Sequence, residues 1–215
     1  MAILTDAAKA RLIADLPSFK DTSEKFFNKE ISVNDYKGIS GTFGSYAERG
    51  AKSAMFRLRL PGGRITADQL TFLAAAIEQH DLKAPHFTTG QSIQFHGLDG
   101  ETVVKLFEEC HSHGIYSRGG GGDYPSNIAA SPLRGVTPGE PFDITPYVQA
   151  ANEYILTLIP DFKLPRKFKM AVIASDTDRA AMRLHDIGIQ IVENNGVIGA
   201  AFYVGGGMGR TPMVA

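Results

Sequence analysis

Between Ala54 and Ser117 the order of residues leaves few folds open. Ala54-Met-Phe-Arg-Leu-Arg-Leu60 alternates, sending Met55, Arg57 and Arg59 to one face and Phe56, Leu58 and Leu60 to the other. That is the period of a strand. Pro61-Gly62-Gly63 then turns the chain. Thr66 with Gln69 forms a capping box. The helix it opens carries Leu70, Leu73, Ala74 and Ile77 on one stripe and runs to about His80. His86 to Thr89 and Ser92 to His96 read as short strands about Gly90. Asp99 caps a second helix through Val103, Val104, Leu106, Phe107 and Cys110, ending at Gly114, and Ile115 to Ser117 offers a last strand. Strand, helix, strand, strand, helix, strand is the βαββαβ ferredoxin-like order, an α+β arrangement.

The flanks are less regular. Residues 1–52 read as a polar N-terminal arm, with a helix from Asp6 to Asp15 stopped by Pro17 and a short second helix from Ser23 to Phe27. Gly38-Ile-Ser-Gly-Thr-Phe-Gly44 is dense in glycine, which permits close backbone approach. The half-domain is set at residues 53–126, and a second α/β unit at 127–215. Between them Arg118-Gly-Gly-Gly-Gly-Asp123 marks a junction or a ligand-approach loop. In the second unit Asn127 to Ser131 is a candidate strand, and Thr145-Pro146 reads as an N-cap with proline opening a helix to about Leu158. A helix is expected from Asp178 to His185. Strands at 187–192 and 197–204 follow, joined by the hairpin signal Asn194-Asn195-Gly196. Gly205 to Gly209 echoes a dinucleotide fingerprint, but no clear helix follows it.

The chemistry concentrates at Pro165-Arg166-Lys167-Phe168-Lys169, which leads into the apolar run Met170-Ala-Val-Ile-Ala174. Alternation turns Lys167 and Lys169 to one face and Phe168 to the other. Two ammonium groups on one side of a sheet repel unless an anion sits between them. Gln91, Gln94, His96, Arg118 and Asn127 also lie at strand ends or glycine loops, where a scaffold aims polar groups at a ligand. Two lysines, an arginine and a histidine with amides suit a ligand bearing several carboxylates and a small oxyanion. Cys110-His111-Ser112-His113 invites a metal, but the cysteine belongs to the apolar stripe and the histidines to the last helical turn. No metal site is assigned. The 215 residues carry a formal net charge of -1, which gives no reason to expect a nucleic-acid partner. Absence of a long apolar run or signal pattern, with a single cysteine, places the expectation in the cytoplasm and away from membranes.

In these motifs the sequence resembles the sirohaem-dependent nitrite and sulfite reductases. Met55-Phe-Arg-Leu-Arg-Leu-Pro-Gly-Gly63 is similar to the family's first half-domain strand and turn, and Phe87-Thr-Thr-Gly-Gln-Ser-Ile-Gln-Phe-His96 to its Thr-Thr-Arg-Gln-x-x-Gln-x-His segment. Arg118 to Asn127 resembles its glycine-rich loop ending Arg-Asn, Leu164 to Lys169 its anion-site lysine motif, and Tyr203 to Gly209 the glycine turn beyond. The resemblance implies a ferredoxin-like half-domain followed by a sirohaem-binding α/β unit, acting in six-electron reduction of sulfite or nitrite. It implies Lys167 and Lys169 as catalytic, and Arg57, Gln91, Gln94, His96, Arg118, Asn127 and Arg166 as cofactor-binding. Two cationic positions of the family's anion site are vacated, by Gly90 and by Ser126. One cysteine cannot ligate a [4Fe–4S] cluster, which takes four thiolates. The cluster is therefore expected on a missing C-terminal half, supplied by the rest of a longer chain, another chain or a second copy. An electron donor such as ferredoxin would serve the assembly. The alternative is a non-catalytic module that binds a tetrapyrrole or an anion.

Overall fold

The computed structural model describes residues 3–162, 164–175, 177 and 180–215. Three helices come first: α1 (Asp6–Ile13), α2 (Leu16–Phe27) and α3 (Val33–Ser40). Pro17 opens α2 rather than closing α1, because a helix's first turn needs no N–H from it. These helices are not merely a polar arm. Phe19, Phe26, Tyr36 and Phe43 are buried with the first core, and Leu4 and Leu12 with the second. Phe19 stacks on Phe43 with centroids 4.4 Å apart, and Phe107 meets Phe43 edge-on at 5.1 Å.

The first sheet runs β1 (Ser45–Ala47), β2 (Ala54–Arg57), β4 (Ile93–Leu98), β3 (His86–Phe87) in spatial order, all antiparallel. Between β2 and β3 lies α4 (Ala67–Gln79), and after β4 comes α5 (Gly100–Ser112). Both caps take the expected form. Thr66 and Gln69 exchange side-chain bonds with each other's backbone, and Asp99 accepts from Thr102 N at 2.8 Å. The strand expected at 115–117 reduces to a single antiparallel bridge between Tyr116 and Arg59. With it, the order is the one a ferredoxin-like half-domain requires. Phe56, Leu58 and Leu60 face the core under α4 and α5, which leaves Arg57 and Arg59 on the opposite side.

The second sheet runs β5 (Pro125–Ala130), β6 (Phe168–Ile173), β7 (Ile187–Asn194), β8 (Val197–Val204). Its first three strands are parallel, and α6 (Thr145–Leu158) crosses between β5 and β6. Thr145 is the first residue of α6 rather than its cap. Asp143 takes the capping role, accepting from both Thr145 N and Thr145 Oγ1. Of the helix expected at 178–185, Asp178 and Arg179 lie outside the described residues, and only a 3-10 turn forms over Met182–Leu184. The β7–β8 hairpin turns at Asn195 and Gly196, both at positive φ (52° and 75°). Strand β8 is a free edge whose Val197, Ile198, Phe202 and Val204 are all exposed.

The glycine run at 119–122 approaches the Gly41–Gly44 turn, backbone against backbone. A Cβ on Gly121 would lie 2.8 Å from Gly41 O, and one on Gly120 would lie 2.8 Å from both Arg57 O and Ser117 O. Glycine is required there because no side chain fits. Gly206 is similarly pressed onto the 183–185 turn, where a Cβ would come within 2.4 Å of His185 O. Within the 205–209 run the close packing is thus at Gly206, while Gly205, Gly207 and Gly209 have open space where a Cβ would stand. No helix among the described residues is long and apolar enough to cross a membrane.

Candidate anion-binding site

The two sheets meet along a cleft of about 700 Å³. The half-domain contributes Arg57 and Arg59 from β2 and its extension, and the Thr88–Ser92 turn. From the second sheet come Ser126, Asn127, Lys167 and Lys169, with His185 from the turn beyond β6. Four guanidinium or ammonium side chains therefore line one cavity, and no carboxylate is among its described lining residues. Lys167, just before β6, and Lys169 on it both reach the cleft, in keeping with their spacing of two.

Arg57 is held by neutral groups. Arg57 Nη1 donates to Gly120 O at 3.1 Å. With the Gln94 amide oxygen turned toward it, Arg57 also donates through Nε at 2.8 Å and through Nη2. Burial lowers the proton affinity of Lys167, and the nearby charges of Arg57 and Lys169 lower it further. Arg57 is likewise lowered, by burial. Both shifts come first from burial, and that of Lys167 also reflects neighbouring positive charge. An anion in the cleft would offset that charge.

The two amides at the seam of the sheets are engaged by backbone. Gln91 Nε2 donates to Ala130 O at 2.6 Å, and Gln91 Oε1 accepts from Ala130 N at 2.9 Å. The side chain thus pairs with the free side of β5 as a strand would. In return Asn127 Nδ2 donates to Leu60 O, Gly90 O and Gln91 O at 2.8–3.0 Å. Gln91 and Asn127 together fasten the half-domain to the second sheet, and both line the cleft.

Three residues singled out in the sequence lie elsewhere. His96 is two residues beyond Gln94 on β4 and is captured by Glu48, at 2.7 Å from Nδ1 to Oε1. Arg118 is 2% exposed and turns away, bonding Asp15 Oδ1 at 2.8 Å and lying 4.2 Å over the Phe43 ring. Arg166 is exposed, one residue before Lys167. Conversely, Arg59 lines the cleft although the sequence reading passed it over; its place in the alternation with Arg57 was the available signal. Cys110 is buried in the first core, and burial pushes its thiol up, so it is inert rather than a ligand.

This geometry is that of an α+β protein with a ferredoxin-like half-domain set against a mixed sheet. The structure described as that of the Mycobacterium tuberculosis NirA protein shares the fold, with a TM-score of 0.78, 24% identity, and coverage of 98% of this chain and 42% of that one. Residues 46–113 match the family profile described as nitrite/sulfite reductase ferredoxin-like half domain. Residues 121–215 match that described as nitrite and sulphite reductase 4Fe-4S domain. The chain belongs to the nitrite and sulfite reductase family. Similar curated proteins include a ferredoxin–nitrite reductase of Synechococcus elongatus, 30% identical over 157 residues that make up 71% of this chain and 31% of the relative. A sulfite reductase [ferredoxin] of Mycobacterium tuberculosis is 30% identical over 171 residues, 77% of this chain and 30% of that protein. The chain thus spans about a third of the length of these relatives, at 31% and 30%.

Proposed function

We propose that this chain supplies the oxyanion- and sirohaem-binding face of a cytoplasmic nitrite or sulfite reductase. On this reading it is inactive without a cluster-bearing half. One observation carries the reading: four cations and no described carboxylate line a single cleft between the two sheets. A ligand with several carboxylates, together with a small oxyanion, matches that charge. The sirohaem and the [4Fe–4S] cluster implied by family resemblance would supply the electron transfer. The cluster's thiolates are not in this sequence, whose one cysteine is the buried Cys110.

The chain's own residues bind and orient. Arg57 is fixed by Gly120 O and Gln94, so its remaining reach is directed into the cleft. Lys167 and Lys169 close on the same anion from β6. Because burial, and after it the charges of Arg57 and Lys169, lower its proton affinity, Lys167 gives up its Nζ proton more readily than a free lysine, which suits an oxyanion whose oxygens leave as water. The cluster-bearing half is the occupant we assign to the exposed apolar β8 edge; the unpaired backbone and apolar side chains of that edge support the choice. Ferredoxin is the electron donor on this reading, a choice supported by the names of the relatives.

Titration of the chain with sulfate or sulfite tests the reading. Lys167→Ala and Lys169→Ala should each weaken binding about tenfold, the worth of a charge-assisted contact, with thermal stability nearly unchanged. No binding by the wild type would overturn it, as would a large stability loss with unaltered affinity. Gel filtration tests the edge: association with a relative's cluster-bearing half is expected, and self-association alone would favour a second copy there.

A further inference from the structure

Among the described residues two arginines are fully buried, and they are treated differently. Arg118 has a carboxylate, Asp15, at 2.8 Å. Arg59, also 2% exposed, has none: among the described residues no ion pair includes it. Its Nε donates to Asn152 Oδ1 at 3.1 Å, Nη1 to Pro125 O at 2.6 Å and Arg118 O at 3.4 Å, and Nη2 to Ser126 O at 2.9 Å. Every partner is a neutral oxygen. Hydrogen bonds are satisfied while the charge is left standing, and burial alone pushes the guanidinium down to about 9. A buried charge without a counter-charge is costly, and a protein that needed only the hydrogen bonds could meet that cost with a carboxylate at 152. Asn152 is 3% exposed on α6, where aspartate would occupy nearly the same volume.

We propose that Arg59 is a positioning residue whose uncompensated charge holds the cleft positive, with the bound anion as its counter-charge, and that Asn152 is the residue that keeps it uncompensated. The inference rests on the anion-binding reading of the cleft. Arg59 lies at the cleft's floor beside Arg57 and Ser126, and its bonds to Pro125 O and Ser126 O also fix the wall that carries Asn127.

Asn152→Asp separates charge from architecture. It keeps the acceptor at Nε and adds a buried carboxylate that neutralises Arg59 in place. The full chain is titrated with inorganic sulfate by calorimetry, with melting followed in parallel. Asn152→Asp should bind sulfate roughly tenfold more weakly or worse, while melting at the wild-type temperature or above. Gln149→Glu, which adds the same charge on the exposed face of α6, should stay within about twofold, because solvent screens it. A folded Asn152→Asp with wild-type affinity overturns the inference, and so does an equal loss in Gln149→Glu. Should Asn152→Asp not fold, Arg59→Lys and Arg59→Met decide. Affinity retained with lysine and lost with methionine supports the role of charge, whereas equal losses overturn it. A wild type that binds no sulfate sinks the anion-binding reading itself, whereas a wild type that binds beside an unaffected Asn152→Asp sinks only this inference.

Discussion

Replacing Gln91 by alanine tests whether the seam between the two sheets is held by side-chain amides. Gln91 makes both of its seam bonds, 2.6 Å and 2.9 Å, to one residue, Ala130, which is fully buried on the free side of β5. Removing the amide leaves the Ala130 N–H and C=O without those partners. A buried group orphaned in this way costs ~1–3 kcal/mol. Gln91 borders the cleft, so water can reach part of the vacated space and the lower half of the range applies. Two groups then give ~2–4 kcal/mol, a large share of the ~5–15 kcal/mol that holds an ordinary domain together. Gln91→Glu should be at least as damaging, since it sets a carboxylate oxygen against Ala130 O where an N–H now donates. Urea unfolding, read as a lower midpoint with unchanged slope, measures both. A loss under about 0.5 kcal/mol in Gln91→Ala, the range of an ordinary surface change, would refute the reasoning.

Gly90→Arg should raise sulfate affinity about tenfold or more by calorimetry, the worth of one charge-assisted contact. The substitution is sterically open, because Gly90 has no positive φ and a Cβ there would meet only Thr88 Oγ1 at 3.7 Å. Unchanged affinity in a folded variant would mean that position 90 does not face the bound anion. Asp99→Ala should cost ~1 kcal/mol through loss of the α5 cap. The bond from Thr102 N holds the Asp99 carboxyl below its usual range, so its stabilisation is fully present above the unfolded pKa of ~3.9 and is lost as pH falls through the lower folded value. Acid unfolding curves of wild type and variant should therefore converge at low pH.

What was legible in the sequence was local. Thr66, Gln69 and Asp99 announce their helices because a cap is completed within three residues. The alternation from Ala54 to Leu60 and the pairing of Lys167 with Lys169 are period-two patterns that survive any tertiary context. The misread elements turn on a single position. Pro17 stops one helix or starts another according to a register that its neighbours do not reveal, and Thr145 yielded its cap to Asp143 two residues earlier. Long-range pairings were invisible. Gln91 and Asn127 looked like ligand groups because nothing local shows that their amides are used on backbone 36 to 67 residues away. Arg59 shares a face with Arg57, but the four neutral oxygens that converge on it do so only after folding. His96 and Arg118 found carboxylates in Glu48 and Asp15, on segments far off in sequence.

The contact between bare backbones at Gly120 has a bearing on how this cleft tolerates change. Gly120 touches the Arg57 carbonyl and accepts the Arg57 guanidinium through its own, at 3.1 Å. The spacing of that wall is a bond-length dimension rather than the outcome of side-chain packing. Volume-conserving swaps in the hydrophobic cores usually cost under about 1.5 kcal/mol. A single methyl at position 120, by contrast, would displace Arg57 at its root. A substitution at Gly120 is therefore felt directly at the cleft, and one at Gly121 would press in the same way on the Gly41 side.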